Sequence, residues 1–298
     1  MSQSGAPESS HITSLSNNDA LIFALLLLVD SLHFVFARAL LPHISPMVSA
    51  MYVIGIATVQ VGVFGLFRGS IDWRAARAHF IFFLAIGLLV GVSTVLNYGS
   101  VAYLDAGTAS MLGKLTTLWA MRVGLIWLHE KLTFRQTLGA LVAIGGVFVI
   151  SFQPGDYLRL GAHMIVASTF KYALHAALVK RYGGGMDFLT FFFFRLLFTT
   201  AVLFAIALFS NSLVQPTPVA WAILGLAGTV DVTISRGLYY AALRRLPITI
   251  FAIILTLSPV IAVGWSYLLF GDFPAPQQLL GGLTVLAGVL LATWPRRA

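Results

Sequence analysis

Seven charged side chains lie inside long apolar stretches of this chain, where a charge needs a partner or water. A charged group at the centre of a membrane helix costs roughly 2.5–3.5 kcal/mol, so seven lipid-facing charges would cost about 20 kcal/mol. This exceeds the net stability of a typical protein, about 5–15 kcal/mol. The seven must therefore face one another or a polar interior; they are Asp30, Lys114, Arg122, Lys171, Arg195, Asp231 and Arg236.

These charges differ in their depth within the apolar stretches. Asp30, Lys171 and Asp231 are near the centres, and Lys114 and Arg236 are intermediate. Arg122 and Arg195 are closer to the ends of their stretches, where a long side chain can reach the membrane surface. A structural role is expected for those two, which leaves the five deeper charges as candidates for a binding site.

Two histidines accompany the deep charges at helical spacing. His33 follows Asp30 by three residues and His175 follows Lys171 by four, so each histidine shares a helix face with its charged neighbour. A His or Asp that titrates inside the membrane is typical of proton coupling, and hydrogen-bonded packing is the competing interpretation. The predicted substrate-binding set is therefore Asp30, His33, Lys114, Lys171, His175, Asp231 and Arg236.

The interior charges carry a positive excess. Five cations and two carboxylates leave a balance of +3. A buried cation without a partner favours an anion, so the sequence predicts a small-molecule substrate with a carboxylate, phosphate or similar group, anionic or zwitterionic overall. The competing interpretation places Arg122 and Arg195 at the membrane edge, where they would account for the excess.

The elements that must position these residues are helices that cross a lipid bilayer. Hydrophobic residues make up 59% of the chain and charged residues 9%, far below the quarter typical of soluble domains. The apolar runs are continuous, which excludes a porin-type barrel. Runs of about 20 residues suffice to span, and ten are predicted: 20–39, 47–67, 80–104, 107–128, 134–152, 160–181, 187–209, 219–243, 247–270 and 276–294.

Chemically matching residues recur at an offset of 142, which indicates a tandem repeat. Residues 1–18 are predicted to be a disordered cytoplasmic tail, residues 19–154 the first repeat with helices 1–5, and residues 155–298 the second with helices 6–10. An odd number of spans per copy inverts the second copy relative to the first, as in many secondary transporters. The matching pairs are His33/His175, Arg38/Lys180, Ser93/Ser235, Tyr98/Tyr240, Gln136/Gln278 and Gly139/Gly281.

The loop charges predict an orientation. Eleven Lys and Arg residues fall on the side of the N-terminus, and two, Arg38 and Arg159, on the other. Basic residues concentrate on the cytoplasmic side, so both termini are predicted to be cytoplasmic, in a multi-pass protein of the cell inner membrane. The net charge of +8 is spread over short loops, so no nucleic-acid partner is expected.

The ends of the two copies share a motif. The first copy has Glu130, Gln136 and the pair Gly145–Gly146 followed by Val147, and the second has Asp272, Gln278 and Gly288–Val289. This pattern resembles the EamA-type repeat of the drug/metabolite transporter superfamily. The resemblance implies an all-α integral membrane protein of ten transmembrane helices, in two inverted five-helix repeats around a central cavity.

The leading functional prediction is a secondary active transporter, as the resemblance suggests an exporter, that moves a small polar or amphipathic metabolite by alternating access. A flippase for lipid-linked head groups and, less favoured, a membrane-embedded enzyme remain open. The chain has no Cys and no Ser–His or metal-ligand spacing that would indicate catalysis. The sequence therefore predicts no cofactor, no metal and no enzymatic activity.

Overall fold

The computed structural model describes residues 17–127, 133–151, 160–183, 186–243, 255 and 257–293. The predicted tail lies outside these residues except for its last two, as does the predicted repeat boundary at 154. The helices are α1 (Asn17–Asp30), α2 (His33–Leu40), α3 (Pro46–Phe67), α4 (Trp73–Ala78), α5 (Phe80–Ser100), α6 (Ala106–Gly113), α7 (Leu115–Trp127), α8 (Phe134–Ser151), α9 (Leu160–Tyr182), α10 (Phe188–Phe209), α11 (Pro218–Leu226), a π-helical segment (Ala227–Ile234), α12 (Ser235–Leu243), α13 (Ser258–Phe270) and α14 (Pro276–Thr293).

The described part of the chain is helical without strands, as predicted, and its length and composition are those of a membrane protein. Five helical stretches within it are long and apolar enough to cross a bilayer, and three shorter apolar helices accompany them. The residues between 243 and 255 lie outside the described part, so the number of ten spans stays a prediction. We call the face at which α1 begins the near face and the opposite face, at which α2 ends, the far face.

Helix starts follow local chemistry. The Asp105 carboxylate accepts a hydrogen bond from the Thr108 backbone N–H at 2.8 Å and caps α6. Asp187 caps α10 in the same way. Pro46 and Pro218 occupy the first turns of α3 and α11, where a missing N–H costs no hydrogen bond. These signals explain why the predicted boundaries and the observed ones agree closely.

The two copies meet through equivalent residues. Thr58 on α3 and Thr200 on α10 are 142 positions apart, and their hydroxyl oxygens lie 2.8 Å from each other. A residue can touch its own repeat mate only close to a two-fold axis that exchanges the copies. The approximate two-fold axis of the repeat therefore passes between α3 and α10.

The same symmetry appears where α8 packs on α14. A Cβ added to Gly146 would lie 2.6 Å from the Gly281 carbonyl oxygen, and one on Gly139 would lie 2.5 Å from that of Gly288. Gly146 and Gly288 are repeat mates, as are Gly139 and Gly281, so the two contacts are related by the axis. The motif glycines thus serve close helix packing, the small-residue contact typical of membrane helices.

Several helices are interrupted at mid-membrane positions. Ser31 and Leu32 separate α1 from α2, and Lys114 alone separates α6 from α7. The ninth predicted stretch is not one uninterrupted helix, because Leu257 lies in a turn and α13 begins at Ser258. Pro259 therefore sits in the first turn of α13, where its missing N–H costs no hydrogen bond. Thr256 lies outside the described residues.

Neighbouring glycines offer a matched test of the α8–α14 contact. We expect Gly146→Ala to lower stability by about 1–3 kcal/mol, the cost of overpacking, because its methyl group would meet backbone atoms of α14. Gly145→Ala is the control, since a Cβ there has nothing within 4 Å. Thermal unfolding of the purified protein in detergent measures both. Equal melting temperatures for the two variants would show that the close contact does not stabilise the bundle.

Candidate functional site

The helix interruptions bring the predicted site residues together. Asp30 ends α1, His33 begins α2, and Lys114 separates α6 from α7. Asp231 lies in the π-helical segment, and Arg236 follows it in the first turn of α12. Irregular backbone at membrane depth is tolerated where it is buried in protein or lines a cavity, and interrupted helices supply the binding sites of many transporters.

Asp30 and Lys114 form an ion pair between the first and fourth spans. Their Oδ2 and Nζ atoms are 3.5 Å apart, and the side chains are 21% and 18% exposed. Asp30 therefore connects the first and fourth spans at this point.

His33 and Asp231 form the second pair, between the first and eighth spans. The Nδ1 atom of His33 is 2.7 Å from Oδ2 of Asp231, and Asp231 is 4% exposed. The Nε2 atom of His33 faces the side-chain amide of Asn97 on α5 at 3.5 Å. The arrangement suits an imidazole that donates from Nδ1 to the carboxylate and accepts at Nε2 from the amide. Tyr98 adds an edge-on ring contact to the same imidazole, with centroids 5.7 Å apart.

Arg236 links the two pairs. Its guanidinium interacts electrostatically with both Asp30 and Asp231, and it lies 5.9 Å from the ring centroid of Tyr239. Its cationic group is also close enough to His33 and His175 to act on both. Arg236 is therefore the central charge of the cluster, which joins two carboxylates and two histidines from three spans.

A small polar cavity lies inside this cluster. It has a volume of about 30 Å³, which is room for about two water molecules. Its polar lining comes from His33, Asp231 and Arg236 together with Arg195 and Tyr172. A metabolite is larger than this space, so the described residues form a closed arrangement and not the open central chamber that the sequence suggests.

Two buried polar atoms beside the cavity have no hydrogen-bond partner among the residues that the structure describes. They are the Tyr98 hydroxyl and the side-chain carbonyl oxygen of Asn97, on consecutive residues of α5. Tyr98 is 1% exposed and Asn97 is 6% exposed. Leaving such a group unpaired costs about 1–3 kcal/mol, and an unpaired buried group needs an explanation. A polar ligand in an enlarged cavity would satisfy both.

The other predicted residues lie around the cluster. His175 on α9 is half-buried and lies within electrostatic range of Arg195 and Arg236. Lys171 is half-buried and lies outside the described lining of the cavity. Its neighbour Tyr172 lines the cavity and meets the Thr94 hydroxyl at 3.1 Å.

Arg122 and Arg195 lie in different environments in the structure. Arg122 is exposed, which fits the expectation that it reaches the membrane surface. Arg195 lines the cavity, so it lies deeper than expected, and the structural role expected for it stays a prediction. The reason is the position of α10, which runs beside α3 and α5 and turns residues 195 and 196 towards the centre of the bundle.

Sequence reasoning missed Tyr172 and underrated Arg195. The signal for Tyr172 was available, because it is the repeat mate of Asp30 at the offset of 142. The π-helical segment also had a signal. Its central residues, TVDVTI, are β-branched except for Asp231, and β-branched residues fit a regular α-helix less well than unbranched ones.

A larger groove lies on the flank of the bundle towards the far face. It has a volume of about 810 Å³ and is formed by α3, α10, α11 and residues 213–215 of the connecting loop. Tyr52 and Trp221 pack edge to face at its rim, with ring centroids 5.1 Å apart. No charged side chain lines the groove within the described part of the chain. It is separate from the charged cluster, because α3 and α10 contribute different residues to each.

An ion pair joins the two copies at the far face. Arg38, near the end of α2, lies 3.1 Å from the Asp272 carboxylate, in the loop after α13. The same guanidinium donates to the Val101 carbonyl oxygen at 2.8 Å, just beyond α5. Both charged side chains are about one-third exposed. Arg38 therefore ties the first, third and ninth spans together above the cavity.

The sequence matches the EamA-like transporter family twice, over residues 19–152 and 159–294. A relative from Streptantibioticus cattleyicolor, described as a probable terminal-alkyne amino-acid exporter, is 28% identical over 254 residues, which are 78% of this chain and 80% of that protein. An uncharacterized transporter of Bacillus subtilis, YdfC, is 27% identical over 206 residues, covering 65% of this chain and 64% of the relative.

A solved crystal structure has a similar fold. Its TM-score against this chain is 0.63 at 16% sequence identity, and the match covers 92% of this chain and 96% of the other. At this identity the likeness concerns the fold alone. Almost the whole chain is therefore accounted for by one known architecture.

The Asp30–Lys114 pair can be tested with a double-mutant cycle. Removing one partner of a buried pair is strongly destabilising, while replacing both partners is often close to neutral. We expect Asp30→Asn and Lys114→Met each to lower the melting temperature, and the double variant to lose less than the sum of the two. Thermal unfolding in detergent supplies the four values. Strictly additive losses would contradict a direct interaction between these side chains.

Proposed function

This chain belongs to the EamA-like transporter family, and on that premise we propose that it exports a small amphipathic metabolite with a carboxylate group by alternating access. A zwitterionic amino acid is the substrate class that fits best. The observation that carries the proposal is the cluster around Arg236, where cations and carboxylates from several spans share one site inside the membrane.

The charges of the cluster support a carboxylate-bearing substrate. Arg195, Arg236 and Lys114 are three cations, and Asp30 and Asp231 are two carboxylates, so one positive charge remains when His33 is neutral. A substrate carboxylate would bind the guanidinium of Arg236 or Arg195, which suit planar, two-pronged recognition. The relative described as an amino-acid exporter belongs to the same family, which supports this choice.

The opposite end of a zwitterion also has a partner in the cluster. A substrate ammonium group would face Asp231, at present held by His33 at 2.7 Å. The unpaired oxygen atoms of Asn97 and Tyr98 would accept or donate the remaining hydrogen bonds. Lys171 and His175, on α9, would form the outer wall of the enlarged site. All seven residues of the predicted set would then take part, either by contact with the substrate or by contact with a residue that binds it.

Transport requires the closed cavity to open towards each face in turn. The cavity of about 30 Å³ must enlarge to admit a substrate, and the approximate two-fold relation of the copies provides two equivalent directions of opening. Closure at the far face depends on Arg38, because its ion pair with Asp272 joins the copies there. We propose that this pair breaks when the site opens to the far face.

Proton coupling is a further part of the proposal. His33 bonds to Asp231 and lies beside Asp30, Arg236 and Tyr98, so protonation of the imidazole would change the charge of the whole cluster. A proton could then be exchanged against a substrate. The basic loops on the side of the N-terminus favour cytoplasmic termini in the inner membrane, so the far face would be the outer one.

A second candidate is a flippase for lipid-linked head groups. The groove of about 810 Å³ on the flank favours it, since a lipid needs lateral access. The described lining of the groove is uncharged, however, and it lies on the other side of α3 and α10 from the cluster. Export of a soluble metabolite therefore remains the leading proposal, and an enzymatic role has no observation in its favour.

Transport by proteoliposomes tests the substrate class. We expect counterflow of radiolabelled amino acids, including ones with an apolar alkyne side chain, to exceed that of matched amines without the carboxylate. Arg236→Gln should weaken apparent affinity by about tenfold or more, because a hydrogen bond to a charged group contributes about 1.5–3 kcal/mol. Arg122→Gln is the matched control, since Arg122 is exposed and outside the described cavity lining.

Each arm of this experiment has a decisive outcome. Faster transport of the amines, or equal losses in Arg236→Gln and Arg122→Gln, would sink the proposed site. A pH gradient that accelerates wild type but not His33→Asn would support coupling through His33, and equal acceleration of both would refute it. Movement of a fluorescent lipid, with no movement of amino acids, would favour the flippase.

The far-face ion pair predicts a change in access. The chain has no Cys, so a single Thr94→Cys reporter in the cavity wall can be labelled with an impermeant thiol reagent added at the far face. Asp272→Asn should raise the labelling rate by up to about fivefold, because a partly exposed ion pair contributes about 0.2–1 kcal/mol. The charge-reversed pair Arg38→Asp with Asp272→Arg should restore it, and Asp72→Asn is the control. Unchanged labelling in Asp272→Asn would rule out a role in closure.

A further inference from the structure

The π-helical segment has the least regular backbone of the candidate site, so contacts from elsewhere in the fold must stabilise it. In this segment the Ser235 backbone N–H bonds to the Val230 carbonyl oxygen. This bond spans five residues, where an α-helix would span four. Segments of this kind are rare and short, so local backbone preference does not account for eight residues of it.

Gln60 on α3 contacts this segment with both ends of its side-chain amide. Its Nε2 donates to the Thr229 hydroxyl at 2.7 Å, and its Oε1 accepts from the Thr233 hydroxyl at 2.8 Å. Thr229 in turn donates to the Gly225 carbonyl oxygen at 2.7 Å. One amide therefore spans two threonines, which lie two residues before and two residues after Asp231.

The close approach of α3 gives this contact a rigid base. A Cβ added to Gly228 would lie 2.9 Å from the Ile56 side chain and 3.0 Å from the Val53 carbonyl oxygen. The helix and the π segment are therefore in direct contact one turn away from Gln60. Because α3 belongs to the first copy and the π segment to the second, the amide connects the two halves of the protein.

We propose that Gln60 is a positioning residue for Asp231, and that its amide clamps the π segment so that the Asp231 carboxylate points at His33. The proposal rests on the function proposed above, in which Asp231 belongs to the substrate site. Gln60 does not need to touch the substrate. It acts through Thr229 and Thr233 on the direction of the carboxylate between them.

The geometry of helices gives the consequence of losing the clamp. A backbone hydrogen bond spans five residues in a π-helix and four in an α-helix. A segment that relaxes from π to α winding therefore shifts by one residue per bond, and one residue corresponds to about 100° of rotation around the helix axis. Such a rotation would carry Asp231 away from the imidazole, which it meets at 2.7 Å. His33 would lose its carboxylate partner even though neither member of the pair was mutated.

The test compares four variants with the wild type by the ¹⁵N signals of the histidine rings in the purified full-length protein. Selective labelling reports all imidazoles, and His33→Asn identifies the signal of His33. Gln60→Leu removes both hydrogen bonds at similar volume. Thr58→Val is the matched control, because Thr58 lies on the same helix and loses its hydroxyl contacts with the Ile54 carbonyl oxygen and with Thr200, without a described contact to the π segment. Asp231→Asn defines the signal of a His33 that has lost its carboxylate.

We expect Gln60→Leu to shift the His33 signal towards that of Asp231→Asn, and Thr58→Val to keep the wild-type signal. Transport should fall by about tenfold or more in Gln60→Leu, as expected for two lost hydrogen bonds. If Gln60→Leu does not fold, Thr229→Val with Thr233→Val removes the same clamp from the other side. A wild-type His33 signal in whichever of the two variants folds overturns the proposal, whatever transport does. A shifted His33 signal in Gln60→Leu, together with no amino-acid transport by the wild-type protein, would uphold the clamp and refute the proposed function.

Discussion

The cost of charge inside a bilayer is the constraint on which the rest of this structure depends. Four of the five deep charges have a described electrostatic partner in another span: Asp30 pairs with Lys114, Asp231 pairs with His33, and Arg236 lies near Asp30. The regular α-helical geometry is interrupted at these same points: after Asp30, at Lys114 and in the π-helical segment around Asp231. Irregular backbone brings side chains from distant spans within reach of each other, and the mutual pairing makes such backbone tolerable at membrane depth.

The repeat duplicates the residues that pack the helices but not the charged residues of the cluster. Glycines, helix starts and the Thr58–Thr200 contact recur at the offset of 142, and these residues determine packing. Among the charged residues of the cluster none recurs as a charge, and only His33 recurs in kind, as His175. In the proposed mechanism the symmetric frame would open equally in two directions, while the one-sided set of charges would give the substrate a single orientation within it. The mates of the cluster charges are Tyr172 for Asp30, Leu89 for Asp231, Thr94 for Arg236, Val53 for Arg195 and Thr256 for Lys114.

The fold was predictable from the sequence to a greater depth than the site. Helix positions follow from apolar length, and helix starts from Asp, Thr and Pro, because these signals are local. Which charges meet depends on breaks and on helix rotation, and a uniform helical projection misses both. The helical projection therefore gave too little weight to Arg195. On α9 it selected Lys171, whereas the residue that lines the cavity is its neighbour Tyr172. The sequence singled out Asp231 because a charge inside a bilayer is costly, but only the fold shows that His33 is its partner. Gln60 was not among the predicted residues, and the nearer of its two threonine partners lies 169 residues away in the sequence.

The contact between Thr58 and Thr200 has a consequence for motion. A symmetry axis is the one line that an exchange of the two copies leaves in place. In the proposed alternating access, a contact between the two copies would exchange with its symmetry equivalent in the repeat, but a bond between repeat mates maps onto itself. The hydroxyl pair at 2.8 Å would then keep its contact while the two halves tilt around it.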